Sequence, residues 1–125
     1  MAWSTGWLPP RRVATDFAAT LFTQEVPTEI VQSYVELMTE FRPAGVRAIA
    51  NALADADLRE VLPSIDVPTL LVHGDVDQRA PLRIAEELHA RIPGSKLVVI
   101  QGPGHMVTLE APERVNHEVR SFLTT

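Results

Sequence analysis

Apolar side chains recur every three or four residues through the first half of the chain, which is the spacing of one face of an α-helix. A first helix is predicted between Val13 and Phe22. The longest stripe predicts a second helix that starts after Pro27 and ends at Pro43. Its main members are Ile30, Tyr34, Leu37, Met38 and Phe41. A third helix is predicted from there to Asp55, so this half of the chain is expected to be helical.

Three residues of the second helix, Tyr34, Met38 and Phe41, allow two interpretations. They could line an apolar pocket for an acyl group under a lid, or they could be ordinary helix core. The core interpretation requires no special role and is favoured. After the third helix, Asp57 and Glu60 have the spacing of a capping box. They predict a short capped helix that ends before Pro63.

The second half of the chain contains two short, nearly all-apolar runs, Thr69–His73 and Leu97–Ile100. Such runs are typical of parallel strands that are covered on both faces. An apolar stripe between them predicts a connecting helix, and a last helix is predicted over 112–123. A right-handed crossover makes the two strands parallel neighbours. The fold class is therefore α/β, with N-terminal helices, a parallel βαβ unit and a C-terminal helix.

Each predicted strand is followed by an ionisable residue at its C-terminal end, Asp77 after the first and His105 after the second. These ends leave the same edge of the sheet, roughly 4.8 Å apart before the loops bend, so a carboxylate–imidazole hydrogen bond is feasible. An Asp followed by a His matches the last two members of a nucleophile–acid–base triad. Asp75, in the same turn, is the competing acid. Alternatively, Asp77 only caps a turn and His105 is a surface residue.

Several motifs in this region occur together and in order: Pro68–Asp77, Ile92–Ser95 and Gly104–Glu113. With them, the segment from Asp55 to Leu123 resembles the C-terminal half of α/β-hydrolase fold enzymes. The helices before it resemble the family's lid more loosely. The resemblance implies that Asp77, at the end of Gly-x-x-Asp, is the acid and that His105 is the base. It implies hydrolysis of an ester, a lactone or a similar small substrate by a serine nucleophile.

No Gly-x-Ser-x-Gly motif occurs in the 125 residues, and no strand is predicted that would carry the nucleophile. The resemblance therefore implies a partial α/β-hydrolase fold, with a lid-like region at 1–62 and a βαβα part of the core at 63–125 in one structural unit. We expect a truncated chain that keeps the acid and the base and is inactive without a nucleophile-bearing half. The alternative is a non-catalytic oligomeric remnant or interaction module of the same fold.

Composition narrows the choice of partners and compartment. Eleven basic and sixteen acidic residues give a net charge of −5 with dispersed acids, which argues against nucleic acid and anionic membranes. The chain has no cysteine and no pattern typical of a signal peptide or membrane span, so a cytoplasmic location is expected. The four histidines have no metal-ligand spacing, and we expect no metal and no cofactor. His73 is expected at a core or edge position, and His89 and His117 on solvated faces.

The strand Thr69–His73 has no predicted neighbour on its far side. A two-stranded sheet with an open apolar edge is marginal alone and invites pairing. We therefore expect self-association, as a homodimer, or binding of a separate chain that carries the N-terminal half of the fold. A small-molecule substrate is expected if the protein is active.

Overall fold

The computed structural model describes residues 10–23 and 26–124, so residues 1–9, 24 and 25 of the region predicted to be lid-like lie outside the described residues. The elements follow one another in an order that confirms the α/β class and the partial fold. They are α1 (Pro10–Ala18), α2 (Thr28–Thr39), α3 (Pro43–Asp55), β1 (Leu70–Gly74), α4 (Leu82–Arg91), β2 (Lys96–Ile100), α5 (Val107–Glu110) and α6 (Pro112–Leu123).

The two strands form a parallel sheet whose register runs from Leu70 opposite Lys96 to Gly74 opposite Ile100. α4 connects the strands and packs against both of them. Apolar residues of both strands form a core cluster with α5, α6 and the residue between them: Val72, Val98, Ile100, Val107, Ala111 and Val115. Helices on the sheet explain why the strand sequences are almost entirely apolar.

The first two helices form a second core cluster of their own. Ala14 and Ala18 of α1 are buried against Val35 of α2, with larger side chains packed around them. Tyr34 and Met38 belong to this cluster, and the Tyr34 ring meets Phe22 edge-on with 5.4 Å between the ring centres. These two residues are therefore helix core. Phe41, by contrast, is 50% exposed.

Helix α3 is present as predicted, but its apolar side chains are not covered by the described residues. Ile49 is 64% exposed and Leu53 is 72% exposed. Pro43 begins α3 rather than ending the helix before it, because α2 already stops at Thr39. Proline is tolerated at the first position of a helix, where its missing N–H would have no partner in any case.

The predicted capped helix before Pro63 is wrong. The segment forms a single 3₁₀ turn over Leu62–Ser64 with Pro63 inside it. The carboxylate of Asp57 accepts hydrogen bonds from the backbone N–H and the guanidinium of Arg59 instead. A side chain that accepts a hydrogen bond from the backbone two residues later stabilises a turn, and this turn competes with helix formation. Here the turn forms in place of the helix.

Gly74, the last residue of β1, lies against the loop that follows β2. The N–H of Asp75 donates to the carbonyl of Ile100 at 3.0 Å, and the N–H of Val76 donates to that of Pro103 at 3.4 Å. A Cβ atom at position 74 would lie 2.5 Å from the carbonyl oxygen of Gly104 and closer still to that of Pro103. Glycine is therefore required for the two backbones to meet.

We expect Gly74→Ala to lower the free energy of unfolding by roughly 1–3 kcal/mol, because the added methyl group forces rigid backbone apart. Urea unfolding measures the change. Gly45→Ala is the matched control, since nothing lies within 4 Å of a Cβ atom at that helical position. The control should be neutral or stabilising by about 0.5–1 kcal/mol. Equal effects of the two substitutions would contradict the close approach.

Candidate active site

The structure brings the side chains of Asp77 and His105 into direct contact. The Nδ1 atom of His105 lies 2.9 Å from Oδ2 of Asp77. Asp77 is buried, at 8% exposure, whereas the His105 side chain is 38% exposed. The pair therefore has a protected carboxylate behind an imidazole that another molecule can reach.

Asp77 also fixes the turn in which it lies. Its Oδ1 atom accepts the backbone N–H groups of Arg79 at 2.8 Å and of Ala80 at 2.9 Å, and its own N–H donates to the carbonyl of Gly74 at 3.3 Å. One carboxylate oxygen thus caps the turn and the other contacts the imidazole. Turn capping, which the sequence offered as an alternative to the imidazole contact, thus occurs together with it in the same side chain.

These contacts determine the charge state of Asp77. Burial alone raises the pKa of the carboxyl group, because it disfavours the charged form. The N–H of Ala80, the His105 side chain, the N–H of Arg79 and the charge of His105 oppose that effect, and the net pKa lies below its ordinary value. Asp77 is therefore a carboxylate at neutral pH and can act as a hydrogen-bond acceptor for the imidazole.

Asp75, the competing acid, has a different partner. Its exposed carboxylate accepts the backbone N–H of Gly102 at 2.7 Å. It therefore links the acid loop, defined here as Asp75–Pro81, to the histidine loop, defined as Gln101–Met106. The imidazole contact is made by Asp77, the residue at the end of Gly-x-x-Asp.

Glu110 holds the histidine loop from the other side and was not identified from the sequence. Its Oε1 atom accepts the N–H of Gly104 at 3.1 Å, and its Oε2 atom accepts the N–H of Thr23 at 3.1 Å and the hydroxyl of Thr23 at 2.5 Å. Glu110 lies in the Gly104–Glu113 motif, so the resemblance pointed to this region of the chain but assigned no role to Glu110. The contact to Thr23 spans 87 positions, so no local pattern could predict it.

The acid loop is tied to helix α1 through Arg79. Its Nη1 atom donates to the Thr20 hydroxyl at 2.9 Å, and its guanidinium lies 4.6 Å from the centre of the Phe17 ring. Burial raises the pKa of the nearby Tyr34, although the positive charge of Arg79 acts in the opposite direction. Helix α1 and the residues that follow it therefore contact the acid loop directly and the histidine loop through Glu110.

The other histidines lie in different surroundings. His73 in β1 has a buried Nε2 atom without a hydrogen-bond partner in the described part of the chain. The exposed His89 ring contacts the Ser95 hydroxyl at 2.9 Å, and His117 is exposed on α6. Within residues 10–23 and 26–124, no three His, Asp or Glu side chains are grouped so that they could hold a metal ion. No described helix has the length and apolar character needed to cross a membrane.

A shallow cavity of about 450 Å³ lies beside the histidine loop. Its walls come from the end of the α1–α2 connection, the histidine loop and the start of α6, including Thr23, Gln101, Glu110 and Arg114. Neither Asp77 nor His105 lines it. The hydrogen-bonded pair therefore lies outside this cavity.

The geometry suits acid–base chemistry. With Nδ1 directed at Asp77, the proton of a neutral ring is held at Nδ1, and Nε2 is left to accept a proton from another molecule. Among the described serines, Ser64 donates to the carbonyl of Val61 and Ser95 to that of His89. Neither hydroxyl bonds the imidazole of His105.

The chain is similar to known proteins in sequence and in structure. An α/β-hydrolase family model described as TAP-like protein matches residues 43–125. The AB hydrolase superfamily protein YisY of Bacillus subtilis is 36% identical over 113 residues, which is 90% of this chain and 42% of that protein. The pimeloyl-[acyl-carrier protein] methyl ester esterase of Neisseria meningitidis is 38% identical over 81 residues, which is 65% of this chain and 26% of that protein.

The structural match covers nearly all of the chain. An esterase from Exiguobacterium antarcticum superposes with a TM-score of 0.85 and 33% identity, over 92% of this chain and 43% of that one. The chain thus spans less than half the length of these relatives. The matched part establishes the fold of this chain. More than half of each relative's length has no counterpart in these 125 residues.

We expect the stability contribution of Asp77 to depend on pH in a defined direction. A carboxyl group whose pKa is lowered by folding stabilises the protein above its ordinary pKa, 3.8, and loses this effect as the pH falls through the lowered value. Asp77→Asn should therefore lower the unfolding free energy by roughly 1–3 kcal/mol near pH 6 and by clearly less near pH 3.

Urea unfolding of both proteins at the two pH values measures this difference. Asp66→Asn, a change at an exposed carboxylate, is the matched control and should have little effect at either pH. An Asp77→Asn effect that is the same at both pH values would contradict the assigned charge state.

Proposed function

The chain belongs to the α/β-hydrolase family, and from this premise we propose that it supplies the acid and the base of a Ser-Asp-His triad. The observation that carries the proposal is the 2.9 Å hydrogen bond between His105 Nδ1 and the buried carboxylate of Asp77. Asp77 is the acid in this assignment, and His105 is the base.

The proposed reaction begins with His105 Nε2 taking the proton of a serine hydroxyl while the serine oxygen attacks the carbonyl carbon of the substrate. Asp77 remains ionised and stabilises the imidazolium that forms. The imidazolium then gives its proton to the departing alcohol oxygen, and an acyl-serine ester is left. Water, activated by the same imidazole, releases the acid and restores the serine.

The serine is proposed to lie outside these 125 residues, which contain no Gly-x-Ser-x-Gly. The oxyanion-hole donors are placed there as well. By itself, the chain is then expected to hydrolyse esters no faster than background. The two-region organisation, with lid-like residues 1–62 and core residues 63–125, is part of the same proposal.

A carboxylic ester, a lactone or a related small molecule is the proposed substrate class. Two of the relatives are esterases by name, the methyl ester esterase of Neisseria meningitidis and the esterase of Exiguobacterium antarcticum. Proton transfer through one imidazole with an ionised acid behind it suits acyl transfer to and from a serine. No cofactor is needed for this chemistry.

A chimera tests the proposal directly. In it, the 125 residues replace the matching 43% of the Exiguobacterium esterase, whose remaining part is proposed to supply the nucleophile. We expect the chimera to hydrolyse p-nitrophenyl acetate, and we expect His105→Ala to lower kcat roughly 10²- to 10⁴-fold, because the base is lost. Initial rates of nitrophenolate release provide the measurement.

His117→Ala, a substitution at an exposed histidine on α6, is the matched control and should leave the rate unchanged. A chimera that hydrolyses the ester equally well with alanine at position 105 would overturn the assignment. So would a folded chimera with no activity.

A second candidate function, an oligomeric interaction module, is favoured by the uncovered apolar surface. β1 pairs with one strand among the described residues, and its residues Leu70–His73 are only half-buried. Exposed apolar side chains lie on the helical part as well: Leu37, Phe41, Ile49, Leu53 and Leu58. Large exposed apolar surfaces are typical of sites of protein contact. We propose that a second copy or a chain bearing the other half of the fold covers it.

For the self-association version, we expect light scattering at micromolar concentration to give the mass of a dimer. Ile49→Glu/Leu53→Glu should shift the protein to monomer, because two charges would be buried in the contact. Glu36→Lys, a substitution at an exposed α2 position, serves as the control and should not change the mass. A stable monomer of the unmodified chain would remove this version.

A further inference from the structure

We propose that Glu110 is a positioning residue for His105 and that it makes the orientation of the imidazole depend on the segment Thr20–Thr23, the link segment, which follows α1. The catalytic meaning of this coupling rests on the proposed function. The coupling itself is a property of the chain that can be measured without turnover.

The carboxylate of Glu110 joins two parts of the chain that are far apart in sequence. One oxygen accepts the N–H of Gly104, the residue immediately before His105, at 3.1 Å. The other oxygen accepts both the N–H and the hydroxyl of Thr23. Three donors therefore converge on one partly buried carboxylate, and hydrogen bonds to a charged acceptor are about twice as strong as neutral ones.

The link segment also holds the residue after the histidine. The N–H of Met106 donates to the carbonyl of Leu21 at 3.3 Å. His105 thus has a fixed N–H on each side, at Gly104 and at Met106. The Gly104 N–H is attached to the link segment through Glu110, and the Met106 N–H is attached to it directly. The backbone that carries the imidazole cannot shift without breaking one of these bonds.

Gly104 is packed closely against Glu110 and the link segment. A Cβ atom built at Gly104 would lie 3.4 Å from each of three atoms: Oε1 of Glu110, the carbonyl oxygen of Leu21 and Cγ2 of Thr23. The histidine loop is therefore in close contact with the link segment as well as hydrogen-bonded to it. Loss of the Glu110 bridge would leave the N–H of Gly104 and the N–H of Thr23 to find new partners.

The same segment contacts the acid loop. Thr20 accepts a hydrogen bond from Arg79, whose N–H in turn donates to Asp77. A displacement of α1 would consequently change the surroundings of both members of the Asp77–His105 pair. The Glu110 connection differs from this one, because a single carboxylate bonds both the histidine loop and the link segment.

Glutamine cannot replace Glu110 in this role. The carboxylate presents acceptors on both sides, to Gly104 and to Thr23, whereas an amide presents one acceptor and one donor group. Whichever way the amide of Glu110→Gln is turned, a donor faces a backbone N–H. The size of the side chain is kept, so the substitution tests the hydrogen bonding and not the packing.

The test measures the ring of His105 by NMR in the 125-residue chain, with His105→Ala used to identify its signals. We expect Glu110→Gln to shift the Nδ1 proton and Nδ1 nitrogen signals and to speed exchange of that proton with water, while far-UV circular dichroism stays unchanged. Asp77→Asn gives the reference for complete loss of the Nδ1–H form, since its amide group would donate to Nδ1. Glu113→Gln, an exposed change three residues away, should leave the signals in place.

Thr23→Val approaches the same link from its other end and keeps the protein testable if Glu110→Gln does not fold. It should move the His105 signals in the same direction as Glu110→Gln, and the double variant should move them no further than the larger single change. His105 signals that match the unmodified protein in Glu110→Gln, or in Thr23→Val where the first variant is unfolded, would overturn the inference.

Failure of this inference and failure of the proposed function give different results. In the chimera, Glu110→Gln should lower kcat roughly 10- to 100-fold with little change in KM, because the base is displaced while substrate contacts stay the same. If the chimera is inactive but the NMR signals move, the coupling exists and the proposed function fails. If the chimera is active and neither kcat nor the signals respond, the function stands and the coupling is wrong.

Discussion

The pairing of Gly74 with Ile100 is the constraint on which the site depends. It ends the parallel register, and the acid loop and the histidine loop both begin there. Since Gly74 has no side chain, the two loops pass within hydrogen-bond distance of each other. A larger residue at this point would separate the loops, and with them the carboxylate and the imidazole.

The carboxylates of this region each join two structural units. Asp77 uses one oxygen for its own turn and the other for His105. Glu110 uses one oxygen for the histidine loop and the other for Thr23 of the link segment. Asp75 completes the set by bonding Gly102 across the two loops. Because both oxygens of Asp77 and of Glu110 have partners, local turn geometry and the contacts between segments are fixed by the same charges.

The apolar surface divides into covered and uncovered parts. The sheet is packed against α4, α5 and α6, and α1 is packed against α2. The apolar side of α3 has no such cover among the described residues. The chain corresponds to less than half of its relatives, so the family's full set of contacts extends beyond these residues. Because the apolar side of α3 is uncovered, a partner is proposed for that surface.

Sequence by itself predicted helices α1 to α4 and α6, the two strands and the order in which Asp77 and His105 leave the sheet, because periodicity and turn residues act over a few positions. The short helix α5 was not predicted. Sequence could not predict the turn at Asp57, where a local side-chain hydrogen bond competes with helix capping. It favoured Asp77 over Asp75 as the acid through the Gly-x-x-Asp pattern, but the contact between Asp77 and the imidazole appears only in the tertiary structure. The bridge from Glu110 to Thr23 was likewise decided only by folding, because a contact across 87 positions depends on how the helices pack and leaves no local pattern.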